Sequence, residues 1–591
     1  MKTQLSLIAL TVSAANFQLH ANDWETITVT GTRTEQSVSD SLAITKIISR
    51  QDIELIKPNS LPELLNQVAG IDISQQGGRG QNASVFTRGT NSNHTLVLVD
   101  GVRISSATLG STNVQMISPS QIERIEIVKG PRAAIWGSDA IGGVIQIFTR
   151  KAEGIAATAT VGSDNFQQLT ATVGFEHGEG ASSFSLSKEQ TDGFDVLNDV
   201  EPDDDGYEHL SFTATGFQPL SEQLRVNYLL QVAQSDNDYD SAFWNNQSEK
   251  DNHILALGLD YTISEHHNVQ FKASQAQDKN LDFGVAEDLY ETTRKQVSVV
   301  SANQINEGVV LTGGIDFQQE NIDTSSTYTN ESRNIVGVFA HGQYQLEQYN
   351  LEVALRHDEV EGIESETTYN LGVGYDLSKF SNIALSHGTG FKTPTFNDLY
   401  YPFGGNDQLI SETSTTTEII YKHNFLIAVA QASVYTTEID NLIAWAPTEE
   451  GSSVWMPFNI NSAEITGAEF DLRANYLGYE HNLNFAYTDS EDGTTGEQLI
   501  RRAKQHVNYS VNKSFKDVTL GVNYSYKGKR LDSGGIELDA YSLLNVIALY
   551  EISSSFSIDL KLTNVLDEDY QTAANYNTQG QAFYLGVSYQ Q

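Results

Sequence analysis

Apolar and polar residues alternate along most of the chain. Leu351, Val353 and Leu355 alternate with Glu352, Ala354 and Arg356. Val518, Leu520, Val522, Tyr524 and Tyr526 alternate with Thr519, Gly521, Asn523, Ser525 and Lys527, and Phe556, Ile558, Leu560 and Leu562 with Ser557, Asp559, Lys561 and Thr563. Near the end Phe583, Leu585, Val587 and Tyr589 keep the same step. A two-residue period places one set of side chains on each face of a strand, and many such strands with an apolar outer and a polar inner face make a barrel wall in lipid. A soluble sandwich also alternates but needs far fewer strands. At about 20 residues per strand and connection, the chain beyond Arg150 predicts about 22 antiparallel strands, a size at which the lumen holds a plug.

The first quarter has a different pattern. Residues 44–48 predict a strand, and Ser49-Arg50-Gln51-Asp52 a capping-box helix start ending by Pro58. Ser60 with Pro62 and Glu63 starts a second helix, whose apolar face is Leu61, Leu64, Leu65 and Val68 and whose stop is Gly70. Strands follow at 71–74, 84–87 and 95–99, the last ending in the tight turn Asp100-Gly101. Loops 75–83 and 105–113 between them are rich in Gly, Ser, Asn and Gln. Strand 122–128 is broken by Lys129-Gly130-Pro131-Arg132 and followed by strand 144–149, so the segment reads as hairpin-like. The run 78–83 fits a loose dinucleotide pattern, but a strand follows where a helix is needed. This region predicts a small mixed α/β domain.

Composition narrows the class. The chain of 591 residues has no cysteine, so disulfides, thiolate metal sites and cysteine nucleophiles are absent together. The net charge of -41 argues against nucleic acid as a partner. Residues 1–21, with Lys2, an apolar run from Leu5 to Ala15 and Ala21 at the end, predict a cleaved secretory signal. Beyond them no apolar run reaches the ~18 residues of a membrane helix. No nucleophile elbow, zinc-helix or P-loop motif occurs, and the 13 histidines lack paired metal spacing, so an enzyme is not expected.

Several strings carry a family likeness: IERIEIVKGPRAAIWGSDAIGGVIQIFTR at 122–150, ETITVTG at 25–31, GFKTP at 390–394, LIRRAKQ at 499–505 and NVLDEDY at 564–570. In these the chain resembles the TonB-dependent outer-membrane receptors, and most of all their cobalamin receptors. The resemblance implies a signal at 1–21, a Ton-box segment at 22–34, a plug domain at 35–150 inside the lumen, and a transmembrane β-barrel at 151–591 in the bacterial outer membrane. Glu25, Thr26, Ile27, Thr28, Val29, Thr30 and Gly31 would be the Ton box, a free strand that TonB grips by backbone pairing. The family usually ends in an aromatic residue, whereas this chain ends Gln590-Gln591, a departure that bears on assembly and not on the fold.

The resemblance also implies a ligand resting on the plug loops, at Gln76, Gln81, Asn82, Ser84, Ser105, Ser106, Leu109 and Asn113. Loops 75–83 and 105–113 contain one cation, Arg79, and no histidine, which favours a near-neutral ligand such as cobalamin over an anionic ferric siderophore or a heme. Phe243, Trp244 and Tyr290 are candidate aromatic contacts. A siderophore or heme receptor of the same fold is the nearest rival; a passive pore or an outer-membrane enzyme is the rival from another class.

Acidic residues cluster at Asp195, Asp203 to Asp205, Asp236, Asp238, Asp240 and Asp251. Alternating carboxylates suit calcium, which takes six to eight oxygens, although no EF-hand is present because Ser241 stands where glycine is needed. Two carboxylates about 4 Å apart repel by about 1 kcal/mol in water and by more when desolvated. Solvated acidic loops are the alternative. The resemblance implies calcium, with Asp195, Asp203, Asp205, Asp240 and Asp251 as ligands. Within the plug, Arg88, Arg103, Arg124 and Arg132 are expected to pair with acidic groups of the barrel wall.

Overall fold

The computed structural model describes residues 28–29, 31, 33–34, 36–37, 41–197, 200–241, 245–449 and 454–591. Residues 1–21, and with them the expected signal, lie outside the described residues, as do Glu25, Thr26, Ile27, Thr30, Phe243 and Trp244.

Twenty-two strands close into a barrel in chain order, interrupted only by a two-stranded hairpin, Arg530–Asp532 with Ile536–Leu538, that stands in one connection. Closure is made by the first strand, Gly154–Gly162, pairing antiparallel with the last, Ala582–Gln590, with Val161 opposite Leu585. The alternation sets the two faces as expected: on strand Tyr349–Val360, Val353 is 54% exposed while its neighbour Ala354 is 1% exposed, with Glu352 and Arg356 also turned into the buried lumen. One end of the barrel is joined by tight turns. Between Trp455–Tyr476 and Tyr479–Asp492 the two-residue turn Leu477-Gly478 has φ of 53° and 72°, the primed geometry that matches strand twist. The opposite end carries the long connections.

Inside the lumen lies a five-stranded mixed sheet, ordered Thr45–Ser49, Ile122–Lys129, Gly143–Thr149, Thr95–Val99, Val102–Arg103. Helix Arg50–Ile56 starts with the expected capping box, Ser49 and Asp52 each accepting from the other's backbone N–H. The second helix, Leu61–Leu65, is shorter than the apolar pattern predicts. It ends at Asn66, and Val68 reaches the same core through a turn, so burial of the apolar face did not require a continuous helix. Gly70 has φ of 73°, and a Cβ there would lie 2.0 Å from Glu469 Oε1 of the barrel. The Asp100-Gly101 turn is confirmed, with Val99 opposite Val102.

The segment 122–150 is more than a hairpin. Its two strands pair antiparallel, Val128 opposite Val144, but Gly143–Thr149 also pairs in parallel with Thr95–Val99 and so sits in mid-sheet. The break holds a one-turn helix, Ala133–Trp136, which no sequence pattern marks. Its side chains are buried against Leu96, Leu98, Val144 and barrel Ala354, so tertiary packing forms it.

Candidate functional site

The inner domain is tied to the barrel wall by buried ion pairs. Arg88 donates to Glu418 Oε1 at 2.6 Å and to Glu469 Oε2 at 2.9 Å, over the ring of Tyr435 at 4.2 Å. Lys129 adds a contact to Glu469 at 3.2 Å. Lys527 with Asp72 and Lys561 with Glu63 repeat the arrangement with the cation on the barrel. Of the four arginines expected to meet the barrel, Arg88 does so closely and Arg132 approaches Glu352 at 3.9 Å. The other two need correction. Arg103 pairs with Asp139 and Arg124 with Glu126, both inside the plug, because each stands on a sheet strand with a carboxylate nearer than the wall.

Two of the three strings singled out in the barrel dock this domain. Gly390 has no room for a side chain, since a Cβ would sit 3.1 Å from Ile141 Cα. Lys392 Nζ reaches Asp139 at 2.8 Å, and the Thr393 N–H donates to Ser138 at 3.2 Å. In the connection 493–504, Arg502 is buried; it donates to the carbonyls of Gly89 and Thr90 at 3.2 Å each and to Asn91, over the ring of Phe86. Burial without a carboxylate in contact pulls its guanidinium down to about 10. Asn564 and Glu568 stitch the third string into a turn through two hydrogen bonds of 2.9 Å.

Near the N-terminus, Thr28–Val29 pairs with Gln36–Ser37, Thr28 opposite Ser37. The Gly31 carbonyl accepts from Trp136 Nε1 at 3.0 Å. Arg33 makes a two-pronged contact to barrel Asp316 at 2.6 and 2.8 Å, its guanidinium between the rings of Trp136 and Phe339. Nothing in the sequence marks Arg33 or Asp316, because a long stretch of intervening chain separates them.

The apical loops do not present all eight expected residues. Asn82 and Leu109 are exposed, and Gln76, Ser84 and Asn113 are half-buried. Gln81, Ser105 and Ser106 are buried. Gln81 Nε2 donates to the Asp238 carbonyl at 2.7 Å, Ser106 shares a 2.8 Å hydrogen bond with Thr108, and Asn113 Nδ2 donates to Asp278 at 2.7 Å. The loops dock against the wall, which engages Gln81 and Asn113; Ser106 is used within its own loop, and Ser105 Oγ is buried with no hydrogen-bond partner. Gly80 makes this fit possible, since a Cβ would lie 2.2 Å from the ring of Tyr207.

Beside loop 75–83 the acidic residues separate into two groups. Asp195, Asp205 and Asp240 offer carboxylate oxygens all within 4.8 Å of one another. Backbone N–H groups of Val196 and Leu197 donate to Asp205 Oδ2 and Asp240 Oδ2 at 2.8 Å each, while Asp240 Oδ1 is buried with no hydrogen-bond partner. Burial, with the charges of Asp240, Asp203 and Asp195, pushes the Asp205 carboxyl up to about 7; burial, with Asp195, Asp203 and Glu201, pushes Asp240 up to about 6. An all-oxygen set with an orphaned buried oxygen fits a hard cation. Asp203 is exposed beside the group. Asp251 is not in it: on strand Gln247–Ser264 its carboxylate turns to His253 Nε2 at 2.7 Å. Asp236 and Asp238 point outward from strand Leu224–Asp238.

Comparison with known proteins adds the following. The family model described as TonB dependent receptor-like, beta-barrel matches residues 164–565, and the one described as TonB-dependent Receptor Plug Domain matches residues 37–144. A protein of Photobacterium profundum named vitamin B12 transporter BtuB is 32% identical over 606 residues, covering 100% of both chains. A protein of that name from Vibrio vulnificus is 33% identical, covering 96% of this chain and 95% of its own. Among solved structures, a mutant ferric enterobactin receptor (PfeA) from Pseudomonas aeruginosa in complex with enterobactin superposes with a TM-score of 0.81 at 17% identity, covering 93% of this chain and 100% of its own. The FrpB iron transporter from Neisseria meningitidis gives 0.81 at 15% identity, covering 93% and 99%. At such identities these two structures show the fold alone.

Proposed function

Because the chain belongs to the TonB-dependent receptors, whose barrel sits in the bacterial outer membrane with its plug in the lumen, we propose that the nutrient it imports is cobalamin. The observation that carries this reading is similarity along the whole chain to proteins named vitamin B12 transporters. The exposed apical surface agrees with it: Asn82 is neutral and Leu109 apolar, while Arg79 is turned away to Glu189 at 3.0 Å. A large, near-neutral ligand would rest there, and TonB would draw on the Ton-box segment to move the plug.

Titration of the purified protein with cobalamin, hemin and a ferric siderophore tests the ligand. The expected result is saturable cobalamin binding with a nanomolar dissociation constant, about -12 kcal/mol. Asn82→Trp, at an exposed apical position, should weaken it by obstruction. Saturable binding of hemin or the siderophore, with none of cobalamin at micromolar protein, would replace the ligand assignment.

Calcium belongs to the same proposal. Asp195, Asp205 and Asp240 would hold the ion, with Asp203 at the edge, and the ion would supply charge that lets three carboxylates stay together. Segments 192–197, 200–206 and 239–241 would thereby be held together beside the apical floor. Asp205→Asn or Asp240→Asn should lower calcium affinity at least tenfold and remove the calcium-dependent part of ligand affinity. The sign of the pH effect follows from the raised carboxyls: the metal-free cluster retains protons up to about pH 6 to 7, and the ion must displace them. Calcium affinity should therefore fall as pH drops from 7.5 to 5.5. Isothermal titration across that range reads it, and a flat profile, or identical ligand affinity in chelator and in millimolar calcium, would remove the role.

A further inference from the structure

Above apical loop 105–113 the barrel rim carries an aromatic surface. The connection 393–411 contains a one-turn helix, Phe396–Tyr400, capped by Thr395 and Asp398. This helix is fastened to the plug itself, since the N–H groups of Phe396 and Asn397 donate to the carbonyls of Ala107 and Thr108 at 3.1 and 3.3 Å. Tyr328, from the neighbouring connection, is buried beneath and donates to Asn397 Oδ1 at 2.7 Å. Tyr401 meets Tyr328, Phe403 and Trp445 edge-on, at centroid distances of 6.2, 5.6 and 6.1 Å, and Trp445 Nε1 donates to Asp398 at 3.0 Å. Yet Phe403 is 72% and Trp455 52% exposed.

These rings do not serve the bilayer. The strands that raise Trp445 and Trp455, Ala428–Pro447 and Trp455–Tyr476, have 20 and 22 residues, about twice the ~9–11 that cross the hydrocarbon, and both residues lie at the long-connection ends. Large rings held in water on a braced scaffold mark a binding surface. Its exposed charge is one-signed: segments 284–291, 325–331 and 393–411 contain Glu287, Asp288, Glu291, Glu331, Asp398 and Asp407 and no Lys, Arg or His, and Arg333, 5.0 Å over the ring of Phe396, is buried and paired with Glu320.

We propose that this rim, centred on Phe403, Trp445 and Trp455 and continuous through Ala107 and Thr108 with exposed Leu109, is the docking face for the flat macrocycle of the ligand. The inference rests on the cobalamin reading and deepens it. A corrin ring around cobalt(III) is planar and carries positive charge, which aromatic faces and nearby carboxylates both attract. Ferric catecholate complexes are anionic and are repelled by the same surface.

The test titrates the wild type and the Phe403→Ser/Trp455→Ser double variant with cobalamin and with cobinamide, which keeps the macrocycle but lacks the nucleotide tail. Two lost ring contacts should weaken both ligands about 10-fold, and Phe403→Tyr should keep wild-type affinity. Glu331→Gln with Asp407→Asn should weaken cationic cobinamide more than cobalamin, whose tail phosphate offsets the charge. All four positions lie in the rim connections or strand ends, outside the barrel wall, and an unchanged heat-shifted electrophoretic mobility confirms a folded barrel. If the wild type binds cobalamin and the double variant binds both ligands within twofold of it, the docking face is wrong while the ligand reading stands. If the wild type does not bind cobalamin, the reading fails and the inference falls with it.

Discussion

Val29→Pro should reduce energised uptake to background, a loss of 100-fold or more, while leaving ligand binding at the cell surface unchanged. A strand that is added to a partner's sheet is held by its backbone N–H and carbonyl groups, and proline removes the N–H and fixes φ. In the structure this backbone is already engaged, Val29 opposite Gln36, so a Ton box placed here would be stowed against its own chain until TonB took it. The substitution therefore acts on the coupling step and leaves the apical floor and the rim untouched. Val29→Thr, which keeps the N–H and the β-branched shape, should transport normally. The readout is accumulation of labelled cobalamin in cells against binding at 4 °C, where transport stops. Uptake that persists in Val29→Pro, or in cells without TonB, would mean that the barrel leaks its ligand passively.

Much of the barrel was legible because its physics is local. A strand with lipid on one side and a polar lumen on the other must alternate at every step, so Val353 against Ala354 or Leu520 against Gly521 declares both the strand and its facing. The capping box at Ser49 and the Asp100-Gly101 turn were legible for the same reason, each satisfying its hydrogen bonds or its φ within a few residues. Helix Ala133–Trp136 was not, since it depends on Leu96, Leu98 and Ala354 arriving from elsewhere.

The candidate site divides along the same line. Residue type marked an acidic cluster, and the family resemblance picked out the ligand set; three of its carboxylates converge, whereas the strand turns Asp251 to His253. Gln81 and Asn113 are polar residues in polar loops, and only the neighbouring wall tells that their side chains already donate to Asp238 and Asp278. Arg33 with Asp316 and Arg88 with Glu418 are separated by 283 and 330 residues, and no pattern along the chain relates them.

The second large effect is expected at Glu469. Its side chain is 1% exposed and receives two cations from the plug, Arg88 at 2.9 Å and Lys129 at 3.2 Å. Glu418 is the other carboxylate on Arg88, so Glu469→Gln leaves two buried positive charges facing one negative group. Breaking a buried pair from one side costs about 3–5 kcal/mol, much more than an exposed pair contributes, because the remaining charge cannot be rehydrated in place. The barrel keeps its own strand ladder, so this cost falls on the docking of the plug. Single-channel recording in increasing urea should then show opening of the lumen at lower denaturant for Glu469→Gln than for the wild type, with the barrel still folded by its heat-shifted mobility. Adding Lys129→Met should recover part of the shift, since it removes one stranded cation while leaving Arg88 on Glu418. An opening midpoint equal to wild type in Glu469→Gln would show that the Glu469 pairs do not hold the plug, and that its retention rests on apolar packing, the other ion pairs of the wall and the hydrogen bonds of Arg502.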